Sequence, residues 1–361
     1  MTSIADMVRD SVKPLRPYEA FEPPPGVIEL DANENLVIDE AWAKAVLIEA
    51  AKSVDPRLYP KAYGGEALRA LSEHLGVDER NLAVSNGSDE LIEMAVKAFI
   101  DRGNTAVIVE PTFEVYGLVV SAAGGLVKPV LVKPESFELD VDSIVEASRE
   151  AKLVFLCSPN NPTGVQYREE QVAEIAERCR RSLVVVDEAY ADFAGSSLME
   201  LALRLDNVLV LRSLSKSAGM AGLRIGYAVS SPQVIEALRK VDLPFRVNSV
   251  AQRALGLVLA DWRRVEGFLE RVRKLREELF KALSSIEGVK PYPSKANFLL
   301  VRVVKQGLTS SKVYARLLSK GFLVRDRGKL PLLENCLRIT VGPKEVNERL
   351  VEALREVVEA A

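Results

Sequence analysis

Between about residue 80 and residue 230 the chain alternates short, near-continuous apolar runs with stretches whose apolar residues recur every three or four positions. Thr105–Val109, Val127–Val132, Leu153–Cys157, Leu183–Val186, Val208–Leu211 and Arg224–Val229 have the length and β-branching of strands. Strands apolar on both faces leave no side for water, so this set predicts a sheet covered on both faces. The striped segments Glu169–Cys179 and Gln233–Val241 predict helices between them, and repeated strand–helix–strand units predict a mainly parallel sheet. After Pro244 the pattern changes to long charged helices over Ala251–Ser284. Asn297–Val303, a helix at Ser310–Gly321, strand-like Phe322–Arg325 and Leu337–Val341, and a last helix from Pro343 follow, which predict a smaller α+β domain. The expected division is an N-terminal arm over 1–30, ending in Pro23-Pro24-Pro25-Gly26 and placed to cross to a second subunit, a large domain over 31–245 and a small domain over 246–361.

The length of 361 residues allows a sizeable core. With 48% hydrophobic and 27% charged residues and a net charge of -3, the composition argues against a nucleic-acid or membrane surface and for a small-molecule partner. Cys157, Cys179 and Cys336 are too few and too scattered for a disulfide framework and are expected to be reduced and buried. The N-terminus, with Asp6, Arg9 and Asp10 among its apolar residues, does not read as a signal peptide, and no apolar run is long enough to cross a membrane. A cytoplasmic location is expected.

The chemistry collects where buried strands end. After Val208–Leu211 comes a Ser- and Gly-rich loop holding Lys216, with Ser213 three residues before it and Arg224 eight after. A hydroxyl and a guanidinium near one amine suit a phosphorylated cofactor tethered as an imine, such as pyridoxal phosphate; an isolated Ser-x-x-Lys would be only a surface lysine. Leu183–Val186 runs into Asp187 and, one short turn later, Tyr190. Such a strand resembles a Walker B element, but no G-x-x-x-x-G-K-[ST] loop occurs in the chain. An acid there can instead keep a pyridine nitrogen protonated while the phenol donates to the ring oxygen. Asn161, before Pro162 in the turn Ser158–Gly164, aims an amide at the same place. Gly87, Ser88 and Asp89 begin the helical pattern Leu91–Phe99, where free N–H groups and the helix dipole favour a phosphate. With Ser213 and Arg224 they make a phosphate cup from separate loops. Phe113, after a further strand, is either core or a platform for a ring. His74, the single histidine, reads as structural.

Together these residues resemble the fold-type-I, pyridoxal-phosphate-dependent aminotransferases of class I/II, and within them the histidinol-phosphate branch. The likeness covers nearly the whole chain and rests on Leu30–Asn35, Ser158–Gly164, Ser213–Tyr227 and Cys336–Gly342, with Val324-Arg325-Asp326 lying upstream of Arg338. It implies a large domain with a mainly parallel seven-stranded sheet plus a smaller α+β domain. It makes Lys216 the Schiff-base lysine and proton carrier, Asp187 the pyridinium partner, and Tyr190 and Asn161 the ligands of the ring oxygen, with Phe113 stacked on the ring. Ser88, Asp89, Ser213, Ser215 and Arg224 would hold the phosphate, with Tyr59 reaching in from the other subunit of a homodimer. Arg338, Arg325, Asn297 and Tyr18 would bind the substrate, and no metal is implied. The family usually has Tyr-Gly where this chain has Phe113-Glu114. The implied reaction transfers the amino group of histidinol phosphate to 2-oxoglutarate, as in histidine biosynthesis. Threonine-phosphate decarboxylation and aromatic or broad-specificity transamination are the alternatives. A transcription regulator is disfavoured, because about thirty residues before Asp31 leave no room for a winged helix-turn-helix.

Overall fold

The protein is described by a computed structural model covering residues 3–17 and 21–360. Tyr18 lies outside the described residues. The large sheet has seven strands in the order Leu82–Ser85, Gly226–Ser230, Val208–Ser213, Leu183–Asp187, Ala151–Cys157, Thr105–Glu110 and Leu126–Leu131. Gly226–Ser230 runs antiparallel to both neighbours, and every other pairing is parallel. Six strands stand where the apolar runs predict them. The seventh, Leu82–Ser85, is only four residues long and carries too short a pattern to stand out in the sequence.

Alternation along these strands explains the two-sided cover. Val184, Val186, Val208 and Val210 enter a cluster with Val172 and Ile175 of the Glu169–Arg178 helix. Leu183, Val185, Leu209 and Leu211 point to the other face, against Leu91, Ile92 and Ala95 of the Ser88–Phe99 helix and Ile235 and Leu238 of Pro232–Val241. Each such side chain contributes roughly 1.5–3 kcal/mol of burial, so a charge on either face would disrupt the sheet.

The second sheet is antiparallel, in the order Arg325–Asp326, Cys336–Thr340, Phe298–Val303, Val289–Pro291. Two expected segments divide. Phe322–Arg325 breaks at Val324, so Phe322–Leu323 pairs in parallel with Ile28–Glu29 while Arg325–Asp326 joins the second sheet. Ala251–Ser284 divides at Asp261, whose carboxylate accepts from Trp42 Nε1 at 3.0 Å, into Ser249–Ala260 and Trp262–Ser284. The N-terminal arm opens with the short helix Ile4–Met7 and is held by Arg9 Nη2 and Ser11 Oγ donating to the carbonyls of Ala123 and Ala122, each at 3.1 Å.

Leu30 then leads Asp31, Ala32 and Asn33 across the space between the two sheets, its carbonyl accepting from Thr340 N at 2.9 Å. Cys157, Cys179 and Cys336 are buried, unpaired thiols, as expected. Among the described residues no helix is long and apolar enough to cross a membrane.

Candidate active site

A cavity of about 220 Å³ opens where the C-terminal ends of the large-sheet strands face Arg325, Arg327 and Arg338 of the second sheet. Parallel strands bring Cys157 and Asp187 into register at its floor. Asp187 is buried, with Oδ2 accepting from Tyr116 Oη at 2.7 Å and Oδ1 from Ala189 N at 3.0 Å. Burial pushes its carboxyl up to about 6, although both hydrogen bonds favour the charged form. Tyr116 is itself fully buried, stacked on Phe155 at 5.0 Å and edge-on to Phe113 at 5.7 Å.

Lys216 sits in the single turn Leu214–Ser217, started by Ser213, whose Oγ accepts from Ser215 N at 3.2 Å. The Lys216 stem is half-buried and its Nζ donates to the carbonyl of Ala32 at 2.8 Å. Burial, with Arg338 pushing the same way, lowers its ammonium to about 8, against the opposing pull of Glu34 and Asp89. A neutral, nucleophilic amine is therefore accessible near neutral pH.

Beside it, the Ser88–Phe99 helix begins without a side-chain cap, leaving first-turn N–H groups directed at the cavity edge. Gly87, at φ +80°, precedes it, and a Cβ there would come within 2.7 Å of Arg224 Nη2. Gly226 is equally constrained, since its Cβ would stand 2.6 Å from the Gly87 carbonyl carbon. Arg224 donates to Asp89 Oδ2 at 2.9 Å and to Ser215 Oγ at 3.4 Å. Ser88, Asp89, Ser213, Ser215 and Arg224 thus meet at one end of the cavity.

The opposite wall is cationic. Buried Arg338 donates from Nη1 to Asn161 Oδ1 at 2.6 Å and from Nη2 to the carbonyl of Asp31, while its Nε is buried without a hydrogen bond. Burial holds its guanidinium down at about 10; Tyr190 opposes this, and Arg327 and Arg325 add to it. Arg325 lies 3.8 Å from the Asp31 carboxylate. Tyr190 Oη accepts from Asn33 Nδ2 at 2.9 Å, and burial pushes its phenol up to about 12.

Lys216, Asp187, Tyr190, Asn161, Phe113, Ser88, Asp89, Ser213, Ser215, Arg224, Arg325 and Arg338 all line the cavity. Asn297 does not: it is buried and donates from Nδ2 to the carbonyl of Asn33 at 2.9 Å, supporting the strap behind Tyr190. Tyr59 also lies away, 82% exposed and stacked on Phe245 at 4.7 Å. Asp31, Asn33, Tyr116 and Arg327 act at the site without having been assigned to it from the sequence, the first two lying within the Leu30–Asn35 motif. Tyr116 follows Phe113 by one helical turn, so the spacing could have suggested it. Arg327 follows Arg325 by two residues, the spacing that puts side chains on one side of extended chain, although the strand itself ends at Asp326.

A family model for aminotransferases of class I and II matches residues 25–354. This chain belongs to that family. Within it, the chain is similar to histidinol-phosphate aminotransferase from Thermoanaerobacter pseudethanolicus, 38% identical over 98% of this chain and 99% of the relative. It is equally similar to histidinol-phosphate aminotransferase 2 from Archaeoglobus fulgidus, 38% identical over 97% of this chain and 100% of the relative. Among solved structures it resembles histidinol-phosphate aminotransferase from Sinorhizobium meliloti in complex with pyridoxal-5'-phosphate. That likeness has 27% identity, a TM-score of 0.85, and coverage of 92% of this chain and 91% of that one. The family's fold type I accounts for the architecture described above.

Proposed function

We propose that this protein is a pyridoxal-phosphate-dependent aminotransferase that moves the amino group of histidinol phosphate to 2-oxoglutarate, giving imidazole-acetol phosphate and glutamate in histidine biosynthesis. The observation that carries the reading is one cavity holding a lysine amine lowered to about 8, a buried carboxylate, and four guanidiniums. The residues fit the cofactor: an uncapped helix start and Arg224 suit its phosphate, the Asp187 carboxylate its ring nitrogen, and Tyr190 and Asn161 its ring oxygen. Phe113, also lining the cavity, would stack on the ring.

When bound, the cofactor supplies an electron sink for the bond broken at the substrate's amine-bearing carbon. Lys216 would tether it, and the free Nζ of Lys216 would take and return the proton of that carbon. Asp187, held by Tyr116 and Ala189 N–H, stays anionic when a cation faces it. Arg338 and Arg325 must hold a phosphate monoester in one half-reaction and a carboxylate in the other, and planar guanidinium forks serve both. Asn297 acts through Asn33 and Tyr190. The large domain, 31–245, carries the cofactor residues and the small domain, 246–361, most of the anion site.

The working form is a cytoplasmic homodimer. Exposed Leu58, Tyr59, Leu243 and Phe245 form the surface from which Tyr59 reaches the partner's phosphate site. Titrating the purified protein with histidinol phosphate, without keto acid, tests the reading. Loss of the visible band of the lysine-bound cofactor is expected, and a band indifferent to histidinol phosphate would reassign the substrate.

A further inference from the structure

Glu114 stands where the resemblance leads one to expect glycine, and it faces the arginine that the sequence reading passed over. Arg327 Nη1 donates to Glu114 Oε1 at 3.1 Å, joining the start of the Val115–Ala123 helix to the second sheet across the cavity mouth. The two ends of the pair differ. The Arg327 side chain is 11% exposed, whereas that of Glu114 is 55% exposed. Arg327 is also firmly placed. Its N–H donates to the Cys336 carbonyl at 2.8 Å, two residues from Arg338. Asp326 staples the turn by accepting from Ser310 Oγ at 2.8 Å, Ser311 Oγ at 2.6 Å and Gly328 N at 2.9 Å.

Three guanidiniums therefore converge on one wall with two carboxylates in reach: Asp31, at 3.8 Å from Arg325, and Glu114. We propose that Arg327 is a third cation of the anion subsite and Glu114 its resident counter-ion, the pair setting a preference for a dianionic phosphate monoester over a carboxylate.

The inference rests on the function proposed above and deepens it. A mostly solvated carboxylate on a screened pair is held weakly, so an entering phosphate dianion displaces it. A phosphate then offers enough oxygens and charge for three forks, whereas a single carboxylate is satisfied by two. Glu114 raises the entry threshold for weaker anions, which is discrimination by a repulsive element.

The test uses the holoenzyme and follows each half-reaction separately. Arg327→Gln should raise KM for histidinol phosphate about 10- to 100-fold, the range expected for losing a hydrogen bond to a charged group. The ratio of that KM to the KM for glutamate should rise at least about fivefold, and Arg327→Lys should recover part of the loss. Glu114→Gln, at an exposed helix start, removes the threshold against weaker anions, so it should lower KM for glutamate by about two- to fivefold, raise the same ratio, and make inorganic phosphate a correspondingly poorer competitor of glutamate. Equal changes in both KM values, or phosphate competition that ignores Glu114→Gln, would overturn the proposal. Phosphate competition reads the subsite whatever the amine substrate. A parent holoenzyme inert toward histidinol phosphate would thus defeat the functional reading alone, while the competition data would still judge the Arg327–Glu114 pair.

Discussion

The two ends of the cavity are built on opposite plans. At the large-sheet end, Asp187 closes a five-residue strand buried along its whole length, held by the fully buried hydroxyl of Tyr116 and by the adjacent Ala189 N–H. At the second-sheet end, Arg325 lies on a two-residue strand, and Arg338 leans on the Asp31 carbonyl and Asn161, each belonging to a different part of the chain. The first end fixes one group against desolvation. The second assembles charge from segments that meet only in the folded chain. This difference suits the proposed reaction, in which a cofactor stays in one position while two unlike anions must take turns in the other.

The sharpest way to break the comparison lies at the boundary between the ends. Lys216→Ala should lower both half-reactions by more than about 10,000-fold and remove the visible cofactor band, since both the tether and the proton carrier are lost; measurable turnover would falsify the assignment. Arg338→Gln should cut kcat/KM by about 100-fold or more for both substrates while leaving cofactor affinity within about threefold. A large drop in cofactor affinity would show that the two ends are not separable. Tyr116→Phe probes the rigid end. Losing its hydrogen bond should push the Asp187 carboxyl further up and weaken cofactor binding about 10- to 30-fold, with the defect growing as pH falls because the charged form is lost first.

The smallest effect is a pH dependence of cofactor loading. Burial lowers the Lys216 ammonium to about 8, and only the neutral amine attacks an aldehyde. Loading of cofactor-free protein should therefore rise about tenfold between about pH 7 and about pH 9 and then level off. Stopped-flow absorbance would read this. A rate still climbing steeply toward pH 10 would mean that the lysine is not desolvated.

Much of this was legible in the chain before folding. Strand–helix alternation with doubly apolar strands specifies a covered parallel sheet, and the residues after Val186, Cys157 and Leu211 must then gather at one edge, because parallel strands end together. Asp187, Asn161, Ser213 and Lys216 could thus be grouped from local pattern alone. What the pattern did not reveal depends on contacts between distant segments. Leu82–Ser85 becomes a strand only because Gly226–Ser230 turns back beside it. Asn297 carries an amide suited to a ligand, yet the fold spends it on the Asn33 carbonyl, 264 residues away in sequence. Tyr116 reads as a core aromatic until the sheet brings Asp187 to its hydroxyl, 71 residues on. The Glu114–Arg327 pair spans 213 residues. Periodicity and turn chemistry act within a few residues and so can be read from sequence. Hydrogen bonding, desolvation and charge pairing act through space, and for this protein they were decided only when the two sheets met.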